Sequence, residues 1–309
     1  MAESRNGVRE GVVECDGLRL AYEVEGPEGA PAMVLVHGYP DSRRIWDALV
    51  PLLVPHYRVI RYDVRGAGHS GAPRRMADYR MSALEHDLAC IIDTLSPDAP
   101  VHLVAHDWGS IQSWEAVTGD LLVGRLASFT SISGPCLDHV GFWFRDCWKA
   151  GEHGRVARQL AKSWYIFLFH LPLVAPVMWR TGLGRSWPDV VALWEQERPR
   201  PDPTQARQGR LGINLYRANM LPRVLAPRER YAHVPVHVIQ PEGDQFVSPA
   251  LSENLERWVP RLRRTVMPGK HWQVLAHPEP LADLIMDFIR RIDANTLDEH
   301  HGSRETHPV

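Results

Sequence analysis

Lysine is nearly missing from this chain. There are three (Lys149, Lys162, Lys270) in 309 residues, and arginine carries the rest of the positive charge, which reads as coding bias rather than function. The basic residues are scattered and the formal net charge is −2, so nothing asks for nucleic acid or an acidic membrane surface. Cysteine is also scarce. Cys15, Cys90, Cys136 and Cys147 lie far apart with no CxxC pair. That spacing argues against a disulfide framework or a zinc site and favours reduced thiols in a cytoplasm. No HExxH or comparable spacing occurs, so no metal is expected; His300, His301 and His307 could trap one only adventitiously. The N-terminal MAESRNGVRE has no apolar core, so no secretory signal is expected. The most apolar stretch, WYIFLFHLPLVAPVMW (164–179), is shorter than the ~20 residues of a membrane span and holds His170, Pro172 and Pro176. It reads as a buried or pocket-lining segment, and no stable membrane insertion is expected.

What is present is an alternation of strand and helix signals, with 44% apolar residues to build a core. VVEC (12–15) and LRLAYEVE (18–25) read as strands joined by an Asp16-Gly17 turn. MVLVHG (33–38), RVIRYD (58–63), VHLVAHD (101–107) and LASFTSIS (126–133) are further strands. A helix is expected from Asp41 or Ser42 through Leu53, another over 81–95, and a third from Gly109-Ser110. After Gly134-Pro135 the rhythm breaks. Residues 136–230 are helical in pattern and hold six of the eleven tryptophans, with RPRPDPTQARQGR (198–210) read as a loop. Strands resume at 234–244 and 263–269, followed by a helix near 279–292. Such alternation means an α/β fold with a mostly parallel sheet and helices on both faces. The core comes in two pieces, 1–135 and 231–292, with a helical cap (136–230) inserted; the polar tail, 293–309, is expected to fray.

Ala105-His106-Asp107-Trp108-Gly109-Ser110 lies where a buried strand turns into a helix. Small residues flanking a polar one there mark a nucleophile elbow, usually built on Ser; here the residue is Asp107. An N-cap Asp is the ordinary alternative. His37-Gly38-Tyr39-Pro40 follows the third strand, where the fold supplies an oxyanion-hole N–H from Tyr39, the other coming from Trp108. His271 lies past the last strand and Asp244 past the one before, so the order 107, 244, 271 is nucleophile, acid, base. Glu242 and Asp138 are competing acids. Gly66-Ala67-Gly68-His69-Ser70-Gly71 matches GxGxxG, but Ala72-Pro73-Arg74-Arg75 follows instead of an apolar helix, so no cofactor is expected and the loop is read as a wall of the site.

Taken together, HGYP, DVRGAGHSGAP (63–73), AHDWGS, EGDQFVSP and GKHW resemble the epoxide hydrolases of the α/β-hydrolase superfamily. The resemblance implies an eight-stranded sheet, a cis Tyr39–Pro40 bond and two cap tyrosines that hold the epoxide oxygen. Tyr165 and Tyr216 fit those patterns, although His170 stands where related chains often carry Gln. It also implies opening of an epoxide, which the aromatic cap suggests is lipophilic, to a vicinal diol through an ester on Asp107, hydrolysed by water that His271 and Asp244 activate, without a cofactor. His37, Pro40, His106, Trp164 and Trp272 are expected around the substrate. Some relatives carry a dehydrogenase domain after the hydrolase; none is expected within these 309 residues. A homodimer is left open. The rivals are a haloalkane dehalogenase, against which Tyr39 stands where many of those enzymes have Asn, and a non-catalytic receptor.

Overall fold

The structure, a computed structural model, describes residues 4–5, 7–195, 197–294 and 305–306. Its strands are β1 (Ser4–Arg5), β2 (Val8–Cys15), β3 (Leu18–Glu25), β4 (Ala32–Val36), β5 (Arg58–Tyr62), β6 (Val101–His106), β7 (Leu126–Ile132), β8 (Val236–Pro241), β9 (Leu262–Met267) and β10 (Glu305–Thr306). They form one sheet in the order β1-β2-β3-β5-β4-β6-β7-β8-β9-β10. The pairs β1–β2, β2–β3 and β3–β5 are antiparallel, and every pair from β5–β4 to β9–β10 is parallel. The eight strands β2 to β9 make the body, as the resemblance implied, and two-residue pairings extend each edge. Every residue of β4, β6 and β8 is buried, which is why they read as apolar runs without alternation. Asp16 and Gly17 both take positive φ, +50° and +75°, as a two-residue hairpin turn requires.

The helices are α1 (Val50–Leu53), α2 (Met81–Leu95), α3 (Trp108–Thr118), α4 (Leu137–Lys149), α5 (His153–Lys162), α6 (Trp164–His170), α7 (Val174–Met178), α8 (Gly184–Glu195), α9 (Gln205–Leu225), α10 (Gln273–Ala276) and α11 (Pro278–Asp293). α2 packs with α3 and α1 with α11, covering the two faces of the sheet. Between β7 and β8 the chain makes only helical elements, α4 to α9 with a π-helical stretch, Trp179–Leu183, before α8. Trp179, Trp187, Ile213 and Tyr216 from these helices join the same apolar cluster as the strands. That shared cluster holds the helical layer down on the sheet.

Three expectations are corrected. The helix expected through Leu53 is broken into a 3₁₀ turn, Arg43–Trp46, and the short α1. Pro51 explains the break, because it has no N–H to continue a helix and suits a first turn instead. The loop expected over 198–210 ends early, since α9 already starts at Gln205. Asp202 Oδ1 accepts from the Thr204 N–H at 2.8 Å and its hydroxyl at 2.6 Å, a local turn that launches the helix past the last proline. Most consequentially, Cys15 at the end of β2 and Cys90 on α2 form a disulfide across 75 residues, with their Cα atoms 6.0 Å apart. Spacing along the chain misses it because β2 packs directly on α2. Cys136 and Cys147 are free and buried. Of the tail expected to fray, Glu305–Thr306 pairs in parallel with β9; residues 295–304 and 307–309 lie outside the described residues.

Candidate active site

β6 ends at His106 and α3 begins at Trp108, so one residue, Asp107, makes the whole turn. It does so at φ +51°, ψ −124°, a conformation that costs a side-chain-bearing residue about 1–3 kcal/mol. Its backbone is over-determined: Asp107 N–H donates to Ile132 O at 3.0 Å, and Ile111 N–H donates to Asp107 O at 2.9 Å. Gly109 is required next, since a Cβ there would collide with the Val36 and His37 carbonyls. Asp107 is therefore held by backbone strain at the C-terminal edge of the sheet, 8% exposed. No side-chain cap hydrogen bond to α3 is made, which sets aside the N-cap reading.

The loop after β4 reaches it from one side. The Tyr39 N–H donates to Asp107 Oδ1 at 2.6 Å, and the Tyr39–Pro40 peptide is cis. His37 fixes this loop from within. Its Nε2 accepts from the Val64 N–H at 2.9 Å and its Nδ1 donates to Gly38 O at 2.9 Å, while burial lowers its pKa and keeps it neutral. The Pro40 carbonyl accepts from the Gln205 and Gln208 amides of α9, at 2.7 and 2.9 Å.

From the other side comes His271. Its Nε2 lies 3.5 Å from Asp107 Oδ2, and its Nδ1 donates to Asp244 Oδ2 at 2.9 Å. The other Asp244 oxygen accepts the Phe246 and Val247 N–H groups at 2.8 and 2.9 Å. Burial works against a charged imidazole, but the two carboxylates outweigh it and hold the His271 pKa well above the usual histidine value. Asp244 is shifted down, its burial outweighed by His271 and the two N–H donors. His106 Nε2 donates to the His271 carbonyl at 2.9 Å, and burial, helped by the nearby His271, drives its pKa down to about 4. His106 is thus a neutral group that holds the His271 backbone.

The helical layer supplies the phenols. Tyr165 on α6 and Tyr216 on α9 stand edge to face, ring centroids 6.0 Å apart. The Trp108 indole also packs edge-on to Tyr216, at a ring separation of 4.7 Å. Burial foremost, and then the Asp107 charge, raise the pKa of Tyr165, and both act on Tyr216 as well, so both phenols stay protonated. Phe169 packs edge-on to Tyr39, Tyr165 and Tyr216, while Phe246 does so to Tyr165 and His271.

The structure thus brings together Asp107, His271, Asp244, Tyr39, Trp108, Tyr165 and Tyr216, with His37, Pro40, His106 and Trp272 around them. Trp164 is the exception and a correction. It is 64% exposed at the start of α6, because the helical turn that carries Tyr165 and Phe169 inward carries Trp164 out. The competing acids are elsewhere: Glu242 is exposed, and Asp138 binds the Arg228 N–H and the Arg223 and Arg228 guanidinium groups. The glycine loop at 66–71 is filled by the protein itself, with Arg207 donating to the Gly68 and Ser70 carbonyls and Gly68 N–H to Gln208. Among the described residues, Cys15, His86 and Cys90 form a group of metal-ligating types, and its thiols are joined to each other.

Several participants escape sequence reasoning. The Tyr39 hydroxyl donates to Gly209 O at 2.9 Å and accepts from the Trp179 indole at 2.8 Å, tying the loop after β4 to α9. Asp41, directly after the HGYP run, accepts from the Trp272 indole at 3.0 Å; burial foremost, with the Asp107 charge adding, pushes its pKa up to about 7. Lys162 donates to the Asp244 carbonyl at 3.0 Å. Adjacency to HGYP and to the Asp244 loop is the one signal that points to Asp41 and Phe246.

A sheet of this order with an elbow residue at the end of β6 is the α/β-hydrolase plan, and the chain belongs to that family: residues 31–278 match the family described as alpha/beta hydrolase fold. It is 36% identical over 283 residues to the probable oxidoreductase EphD of Mycobacterium tuberculosis, covering 88% of this chain and 48% of that protein. The chain thus spans about half the length of those curated relatives. It is 25% identical over 307 residues to epoxide hydrolase 3 of Xenopus tropicalis, covering 89% of this chain and 75% of that one. An epoxide hydrolase structure from Bacillus megaterium, in complex with its product, superposes with a TM-score of 0.76 at 18% identity, covering 91% of this chain and all of that one.

Proposed function

We propose that this chain is an epoxide hydrolase that opens a lipophilic epoxide to a vicinal diol through an ester on Asp107. One observation carries the reading: a strained aspartate, not a serine, occupies the elbow, within 3.5 Å of an Asp-paired histidine and opposite two protonated phenols. Residues 136–230 act as the cap that closes over the substrate.

Asp107 attacks as a carboxylate and needs no base. Oδ1 is held by the Tyr39 N–H, which leaves Oδ2 to displace the ring oxygen from a saturated carbon. Tyr165 and Tyr216 hydrogen-bond that oxygen as it becomes an alkoxide, which takes up a proton. Esterification removes one of the two negative charges that keep His271 protonated, so its pKa falls and it releases a proton. The proton lost by His271 equals the one gained by the alkoxide. Neutral His271, oriented by Asp244, then takes a proton from water as that water attacks the Asp107 carbonyl carbon. The Tyr39 and Trp108 N–H groups stabilise the oxyanion, and its collapse releases the diol and restores the carboxylate. No step calls for a cofactor.

The wild type should form diol from styrene oxide and release no halide from bromoalkanes, and Asp107→Asn should form no diol. Halide release instead would make the chain a dehalogenase. Tight binding of epoxides without turnover would make it a receptor.

A further inference from the structure

The helical layer has an outer face that the chemistry does not use. α6 turns Phe167 outward along with Trp164; α7 does the same with Val174, Val177 and Met178, and between them Leu171 is exposed and Leu173 is 75% exposed. The inward faces of the same helices are apolar too, carrying Tyr165, Phe169 and Ala175. A helix that is apolar all round belongs in a protein core or in lipid, not at a water boundary. The bend in this segment suits a surface position better than a straight crossing. The axis bends by 92° between Trp164–His170 and Val174–Glu195, and no single helix among the described residues is long and apolar enough to span.

The charge around this face is one-sided. From residue 153 to 188 there is no Asp or Glu, while Arg155, Arg158, Lys162, Arg180 and Arg185 fall within it. Arg155 is taken by Glu152 and Glu253, and Lys162 by the Asp244 carbonyl. Arg158, Arg180 and Arg185 are exposed and without an ion-pair partner among the described residues. The whole-chain charge of −2 conceals this local excess.

We infer that α6 and α7 dock the protein onto an anionic lipid surface, their apolar side chains entering the boundary between headgroups and acyl chains while the arginines meet the phosphates. A second copy of the chain fits this face poorly. A two-fold contact would press one arginine-bearing segment, which carries no acid from 153 to 188, against its twin and set like charges together. An anionic bilayer complements both features. Because Tyr165 sits on the inward side of the docked helix, a lipophilic molecule leaving the bilayer would meet the layer that carries the phenols. The docking itself does not depend on the reaction proposed above.

The test is flotation of the full chain with phosphatidylcholine–phosphatidylglycerol vesicles and with phosphatidylcholine vesicles, diol formation being assayed separately. Wild type should float with the anionic vesicles and far less with the neutral ones. Leu173→Ser/Val177→Ser and Arg180→Glu/Arg185→Glu should each lower the bound fraction about tenfold, with thermal melting unchanged because all four side chains are exposed. Failure of the wild type to float, or variants that float like the wild type, would overturn the inference. So would light scattering that shows a wild-type dimer made monomeric by Leu173→Ser/Val177→Ser, since the face would then belong to a second copy.

Discussion

The two sides of the site are held in place by different means. The floor consists of Asp107, Asp244 and His271, each just past one of the parallel strands β6, β8 and β9, and each fixed by backbone geometry or by hydrogen bonds that leave little freedom. The ceiling is unequal within itself. Tyr216 is 4% exposed on a helix of 21 residues, whereas Tyr165 rides on a helix of seven, none of which is buried. The contrast teaches that charge is placed by topology here and phenol hydroxyls by aromatic packing, and that the first is the more exacting of the two.

That comparison can be broken in steps. Asp107→Ala, which on the proposed mechanism removes the nucleophile, should lower diol formation by roughly 10⁴-fold or more. Asp244→Asn should slow hydrolysis of the ester by roughly 10³–10⁴-fold with little effect on its formation, because the imidazole loses its orienting partner; equal slowing of both half-reactions in rapid-quench kinetics would contradict this. Tyr216→Phe should cost about 10²-fold in ester formation, and Tyr165→Phe less, since α6 can adjust. The reverse order would mean that packing does not decide which phenol matters.

Stability tests separate floor from ceiling. Cys15→Ser/Cys90→Ser should lower unfolding free energy in urea by about 4–5 kcal/mol, in line with a loop of this length, while leaving the His271 titration unchanged. Tyr39→Phe should cost about 1–3 kcal/mol, because the Gly209 carbonyl and the Trp179 indole lose a buried partner. Across pH the signs differ. The raised His271 pKa contributes stability that is complete below the unfolded value of 6.5 and is lost as pH rises through the folded value. The depressed Asp244 pKa contributes stability above 3.8 that is lost as pH falls through its folded value.

The floor is legible in the sequence because it follows from period and punctuation. Apolar runs give β4, β6 and β8, the spacing of Leu84, Leu88 and Ile91 gives α2, and small residues around Asp107 give the elbow. What resists reading is contact between distant segments. Nothing near Cys15 announces Cys90, which meets it only through the packing of β2 on α2. Nothing in HGYP foretells that the Tyr39 hydroxyl anchors α9. In the helical layer, apolarity on both faces of α6 hides which side turns inward, and so Trp164 is misplaced while Phe169 is missed.

The most direct test of the covalent ester is to remove the base and look for it. His271→Gln, mixed with excess styrene oxide and analysed by intact mass and peptide mapping, should gain the mass of one substrate molecule on Asp107 and hold it through gel filtration. An adduct on any other residue, or unmodified protein that still turns over, would contradict the account.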